Sequence, residues 1–112
     1  MDPLLQGDIY LAALDPTRGH EQGGLRPVVI LQNDMLNRNL STVIIAPITK
    51  SFKRKDILTT YFLDKKIHKL KEDSVVLLFQ IRSIDKSRLL KKVAVIKEEN
   101  FKEILNQLKL VF

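Results

Sequence analysis

The tightest constraint on what this chain can become is a series of short apolar runs, rich in β-branched residues and spaced too closely for helices. Val28-Val29-Ile30-Leu31 and Thr42-Val43-Ile44-Ile45-Ala46 lack polar alternation, as expected of strands buried on both faces. Asp8 to Leu14 reads as an earlier strand that stops at the turn signal Asp15-Pro16-Thr17. Residues 18–24 contain Gly19, Gly23 and Gly24 and read as a flexible loop, and Asn33 to Arg38 fits one short helical turn. Further strands are expected over Ile57 to Leu63, Ser74 to Leu78, Gln80 to Ile84 and Val93 to Ile96. The period then changes. Phe101, Ile104, Leu105, Leu108 and Val111 or Phe112 recur at helical spacing, and Glu98 and Glu99 occupy the first turn, where the helix dipole favours them. The pattern predicts a mainly β fold, a small and strongly curved barrel or sandwich with a C-terminal amphipathic helix packed on it.

A chain of 112 residues forms one domain, here 1–112, large enough for a core without covalent staples. With no cysteine, disulfides and thiolate metal sites are excluded, and His20 and His68 are too far apart in sequence to suggest a metal cluster. Gly23-Gly24 is not followed by a lysine and a helix, so there is no phosphate-cradling P-loop, and no serine-hydrolase elbow is present. No apolar run is long enough to cross a bilayer, and Met1 to Gln6 lacks signal-peptide features, so a cytoplasmic protein without a membrane partner is expected. Nineteen Lys+Arg against 13 Asp+Glu give a net charge of +6, which fits a polyanionic partner as well as it fits a solvated lysine-rich surface. If the chain is an enzyme, it works with Arg, Lys, Thr, Ser, Asp and Glu. That repertoire suits phosphoryl transfer in which the 2′-hydroxyl of RNA is the internal nucleophile, because the protein then only orients groups, moves protons and stabilises charge. Neither a cofactor nor a metal is called for.

Four stretches carry a resemblance. They are Gly7-Asp8-Ile9-Tyr10 continuing to the loop Glu21-Gln22-Gly23-Gly24-Leu25-Arg26-Pro27 and on to Asp34; Ala46-Pro47-Ile48-Thr49; Asp73 to Leu78; and Gln80-Ile81-Arg82-Ser83-Ile84-Asp85-Lys86-Ser87-Arg88-Leu89. In this order, from about Gly7 to Leu89, the chain closely resembles the MazF/PemK toxins. The resemblance implies an SH3-like or CcdB-like curved β core with flanking helices. It also implies a homodimer, sequence-specific cleavage of single-stranded RNA (messenger RNA foremost), and neutralisation by a cognate antitoxin with an acidic, disordered tail. The positions matching the family's catalytic residues are Arg26 and Thr49, with Glu21 in a loop that closes near the substrate. Gln22, Gly23, Gly24, Lys50, Ser51, Lys53, Arg54 and Gln80 are the residues expected to touch RNA.

Each candidate also has a plainer reading. Arg26 precedes Pro27, which biases it to an extended conformation, and a guanidinium there can give a phosphate two parallel hydrogen bonds. It can equally be a surface arginine paired with Glu21 or Asp15. Thr49 can bond a phosphate oxygen or the attacking hydroxyl, though it is too weak a base to act alone, or it can simply end a strand. Glu21 is the one carboxylate of the glycine loop, placed to touch a base edge, to help move a proton, or only to be solvated. Lys50, Lys53, Arg54 and Lys55 line an RNA path or a solvated loop, and Phe52 and Tyr61 either stack on bases or pack in the core.

One departure from the family pattern stands out. Many relatives carry a carboxylate just before the glutamine of the later block, and here that position is Phe79. A phenyl ring cannot accept a proton. Either the carboxylate is dispensable, or the chain is a weakened nuclease that binds RNA or antitoxin without cutting; the ring can also open an apolar pocket for a base or the antitoxin. A gyrase poison of the CcdB type shares the expected fold class but acts through a tryptophan-containing tail, and this chain has no tryptophan and ends Leu110-Val111-Phe112.

Overall fold

The computed structural model describes residues 3–14, 24–50 and 59–112. In chain order these form β1 (Asp8–Ala13), β2 (Leu25–Ile30), α1 (Asp34–Asn39), β3 (Thr42–Thr49), β4 (Thr60–Leu63), α2 (Lys65–His68), β5 (Ser74–Leu77), β6 (Arg82–Asp85), β7 (Leu89–Val95) and α3 (Glu98–Val111). Single 3-10 turns occupy Leu78–Gln80 and Lys86–Arg88. The expected mainly β architecture with a C-terminal amphipathic helix is present. The seven-stranded sheet runs β4-β5-β3-β2-β1-β7, with β6 pairing β3 off that path, and every pairing is antiparallel. Among the described residues the sheet is not closed into the expected barrel, since β4 and β7 end the path without pairing each other.

The apolar runs reflect burial on both faces of the sheet. Val28, Val29 and Ile30 are fully buried because each face of the sheet has its own core. Ile9, Val29, Ala46, Ile48, Leu63 and Val76 pack with Phe101 and Ile104 of α3 on one side. Ala12, Leu14, Val28, Ile30, Val43, Ile45 and Ile84 pack together on the other. Alternate residues of β2 and β3 therefore serve different cores, which is why neither strand shows a polar period.

Several boundaries differ from the sequence pattern. β3 runs on to Thr49 and β7 begins at Leu89, whereas β6 starts only at Arg82 because the turn at Leu78–Gln80 intervenes. β4 begins at Thr60, and the expected strand's first two residues, 57 and 58, lie outside the described residues. The helix α2 was not expected. Its four residues are held by Asp64, whose carboxylate accepts from the Lys66 and Ile67 amides, and by Lys69 in the left-handed region at φ 55°. The segment Gln32 to Arg38 is structural: Asn33 caps α1, and the buried side chains of Gln32 and Asn37 bond one another, with Gln32 Nε2 also donating to the Thr42 carbonyl at 3.1 Å.

A polar clasp joins α3 to β4. The Tyr61 hydroxyl donates to Glu103 at 2.6 Å and accepts from Asn100 Nδ2 at 3.0 Å, while Gln107 Nε2 donates to the Thr60 carbonyl at 2.7 Å. Tyr61 thus follows the core-packing alternative rather than base stacking, since its ring lies against the core beneath α3. Burial, reinforced by the hydrogen bond to the Glu103 carboxylate, pushes the Tyr61 phenol from 10.0 up to about 12. The folded value is the higher one, so this contribution to stability is intact below about pH 10 and is lost as the pH rises toward 12. Denaturant unfolding across that range is expected to show a steeper loss of stability for the wild-type chain than for Tyr61→Phe, and parallel curves would contradict the clasp.

Candidate active site

The site is set by where the β2–β3 ladder stops. Its pairs are Val28↔Pro47, Val29↔Ala46 and Ile30↔Ile45. Counted two residues further, the same register puts Arg26 beside Thr49, the last residue of β3. Pro27 is the reason the ladder ends first. Leu14 donates to the Gly24 carbonyl at 2.9 Å and Gly7 to the Ile30 carbonyl at 2.8 Å, so the even-numbered residues of β2 turn their polar edge to β1. Alternation turns Pro27 toward β3, where the next pair needs an N–H that proline lacks.

A second proline acts on the other strand. The Ile44 carbonyl accepts from Leu31 at 3.0 Å, which directs residue 44 toward β2 and, by alternation, Pro47 away from it. Pro47 faces the gap between two partners on the far edge of β3, because β6 pairs as far as Ile45 and β5 begins at Ile48. No ladder bond is lost there. β3 leaves one set of partners and joins another at this point, and Thr49 pairs with Val75 of β5.

Parity assigns the side chains to one face. Arg26 shares its face with Val28 and Ile30, and Thr49 shares its face with Val43 and Ile45; these four apolar residues belong to the same core. Arg26 and Thr49, both half-buried, therefore stand at the same end of neighbouring strands and on the same side of the sheet. Arg82, which is opposite Ile45, shares that side further along, and Arg88 donates to the Ala13 carbonyl at 3.3 Å beside the Ala12↔Arg26 pair. Neither was singled out from sequence; only strand register reveals them.

Among the other expected residues, Gly24 has φ +71°, a left-handed conformation that opens the strand leading to Arg26, and a Cβ there would meet nothing within 4 Å. Its glycine is required by the backbone, not by crowding. Lys50 follows Thr49 and lies 3.5 Å from Glu72, with both side chains largely exposed, as in the solvated-loop alternative. Gln80 is half-buried in the turn between β5 and β6, and Phe79 beside it is 44% exposed. Glu21, Gln22, Gly23, Ser51, Lys53 and Arg54 lie outside the described residues, as does Phe52. Much of the later block is scaffold. Asp85 caps the turn that follows it, its carboxyl held below the usual range by the Ser87 amide, and Lys86 Nζ donates to the Asn37 carbonyl. His68 is buried, with Nδ1 3.3 Å from the Asp64 carbonyl, and among the described residues no cluster of His, Cys, Asp or Glu is placed to hold a metal. Nor is any described helix long and apolar enough to cross a membrane.

The fold is that of known toxins. The crystal structure of MazF (Form-I) from Deinococcus radiodurans superposes with a TM-score of 0.82 at 24% identity, covering 99% of this chain and 97% of that one. An endoribonuclease in complex with its cognate antitoxin, from mycobacterial species, gives a TM-score of 0.74 at 18% identity, covering 99% and 95%. In sequence, Endoribonuclease MazF from Staphylococcus epidermidis is 48% identical over 105 residues, 94% of this chain and 88% of that protein. The family model for the PemK-like, MazF-like toxin of type II toxin–antitoxin systems matches residues 5–112, and the chain belongs to that family.

Proposed function

We propose that this chain, an endoribonuclease of the PemK/MazF toxin family, cuts single-stranded RNA at short sequences by metal-independent transesterification across the Arg26–Thr49 end of β2 and β3. The observation that carries this reading is that Arg26 and Thr49 stand on one face at the same end of neighbouring strands, where Pro27 ends the ladder between them. In the proposed reaction the 2′-oxygen attacks the adjacent phosphorus as its proton passes to the Glu21 carboxylate or to water. The bond from phosphorus to the 5′-oxygen breaks, and that oxygen takes a proton from water. The products are a 2′,3′-cyclic phosphate and a free 5′-hydroxyl. Arg26 stabilises the charge gathering on the phosphorane oxygens through its N–H donors. Thr49 holds a phosphate oxygen or the nucleophile. Glu21 and the glycines of its loop close over the strand.

The partner that silences this activity is, in this reading, an antitoxin whose acidic, disordered tail folds onto the basic surface. The net charge of +6 and the antitoxin-bound relative support it. Homodimerisation belongs to the same reading: β7 is an edge strand with Leu90, Val93 and Val95 exposed, a surface that a second copy would cover. Light scattering at micromolar concentration is expected to give twice the chain mass, and the monomer mass counts against it. A second reading, a chain that binds RNA or antitoxin without cutting, draws its support from Phe79, an exposed ring at the position where the family resemblance implies a carboxylate in many relatives.

Incubation with unstructured RNA in EDTA is expected to yield fragments ending in a cyclic phosphate. Arg26→Ala is expected to slow cleavage by about 10²–10³-fold while leaving the fold intact, the usual cost of removing one aimed donor to a transition state. Cleavage that requires added metal, or an Arg26→Ala chain that cuts at the wild-type rate, would overturn the proposal. RNA binding without cleavage would favour the second reading.

A further inference from the structure

The sheet places an aromatic ring in line with the proposed cleavage point. Phe62 of β4 pairs with Val75 of β5, and Val75 pairs with Thr49 of β3. On the other side of the ladder's end, Arg26 pairs with Ala12 and Ala12 with Leu89. Residues paired across an antiparallel sheet lie on the same face, so Phe62, Val75 and Thr49 form one transverse row that continues to Arg26. Each cross-strand step is about 4.5–5.5 Å, which sets Phe62 about 10 Å from Thr49 along this row.

Phe62 is 43% exposed and is the one exposed residue of β4, whose two ends Thr60 and Leu63 are buried. Tyr61 points to the opposite face, where Glu103 and Asn100 engage its hydroxyl. Val75 between Phe62 and Thr49 is buried, so the accessible groups of the row are the ring at one end and the half-buried Thr49 and Arg26 at the other. An exposed phenylalanine alone means little. An exposed ring in register with the groups that would hold a phosphate is a platform of the kind single-stranded nucleic acids use, where a flat apolar face receives a base whose phosphate is gripped beside it.

We propose that Phe62 is the stacking platform for a base adjoining the phosphate held between Arg26 and Thr49, and so fixes where along the strand the cut falls. This rests on the nuclease reading above. The ring contributes no proton or charge. It positions the RNA, so its loss appears in substrate binding and KM and not in kcat.

The chain contains no tryptophan, so Phe62→Trp introduces a single fluorescent reporter. The probe is a short RNA spanning a mapped cut site, with 2′-deoxyribose at the cut nucleotide so that it binds without reacting. Phe62→Trp is expected to bind this probe as tightly as wild type, with its fluorescence quenched, and the quenching is expected to vanish when one base next to the cut is replaced by an abasic residue. Phe62→Ala is expected to bind about 5- to 150-fold more weakly with kcat unchanged, the effect of losing one base–aromatic stack. A wild-type chain that cuts RNA while Phe62→Ala binds and cleaves normally overturns this inference alone. So does a Phe62→Ala effect confined to oligomeric mass, which would make the ring a protein contact. A wild-type chain that cuts no RNA overturns the inference and the nuclease reading together.

Discussion

The absence of an N–H on Pro27 decides the shape of the proposed active end of this molecule. Backbone pairing between β2 and β3 would otherwise continue to the end of both strands and seal Arg26 against Thr49. Because the donor is missing where the next ladder bond falls, pairing stops at Val28↔Pro47, and the two strand ends are released from it. Pro47 makes the complementary accommodation on β3. Its imide faces the gap where β3 exchanges β6 for β5, so the strand changes partners without sacrificing a bond. A loop-borne arginine would lose conformational entropy on gripping a phosphate. An arginine in a strand with fixed register has lost most of that freedom during folding.

The remainder of the fold holds that end in place. β3 is the hub, contacting β2 on one edge and both β5 and β6 on the other. Its start is pinned by Gln32, through the Thr42 carbonyl, and by the Lys86 amide, which donates to the Ser41 carbonyl at 2.9 Å. On the far side, the buried Asp8 carboxylate meets Lys92 at 3.3 Å and accepts from the Leu5 amide at 3.0 Å, fixing β1 against the edge strand β7. The α3–β4 clasp holds β4, and with it Phe62, against the core. Asp85 and Lys86 of the later block are spent on a turn amide and a backbone carbonyl.

The strands were legible because uninterrupted β-branched runs such as Val28 to Leu31 have few alternatives, and α3 was legible because its apolar residues keep a helical period over three turns. The four-residue α2 is too short to show any period and depends on the Asp64 cap and on Lys69 in the left-handed region. The start of β7 was hidden because Leu89-Leu90-Lys91-Lys92 alternates with neither strand nor helix. Arg26 and Thr49 could be nominated from the family resemblance, but their placement on one face follows from register, and register is set by pairings that residue types do not encode individually. The same holds for Tyr61 and Phe62. Both are aromatic and adjacent, and only the phase of β4 decides that Tyr61 belongs to the helix-side core and Phe62 to the face of Thr49. Glu21 and the basic residues after Ser51 lie outside the described residues, so their expected roles rest on resemblance.

The proposed catalysis requires the guanidinium of β2 and the hydroxyl of β3 to act on one phosphate as a unit. Single-turnover cleavage by wild type, Arg26→Ala, Thr49→Ala and the double variant measures this directly. Groups sharing one phosphate are coupled, so the double variant is expected to be slower than wild type by far less than the product of the two single-variant factors. Factors that multiply, or a Thr49→Ala chain that cleaves at the wild-type rate, would contradict a shared grip.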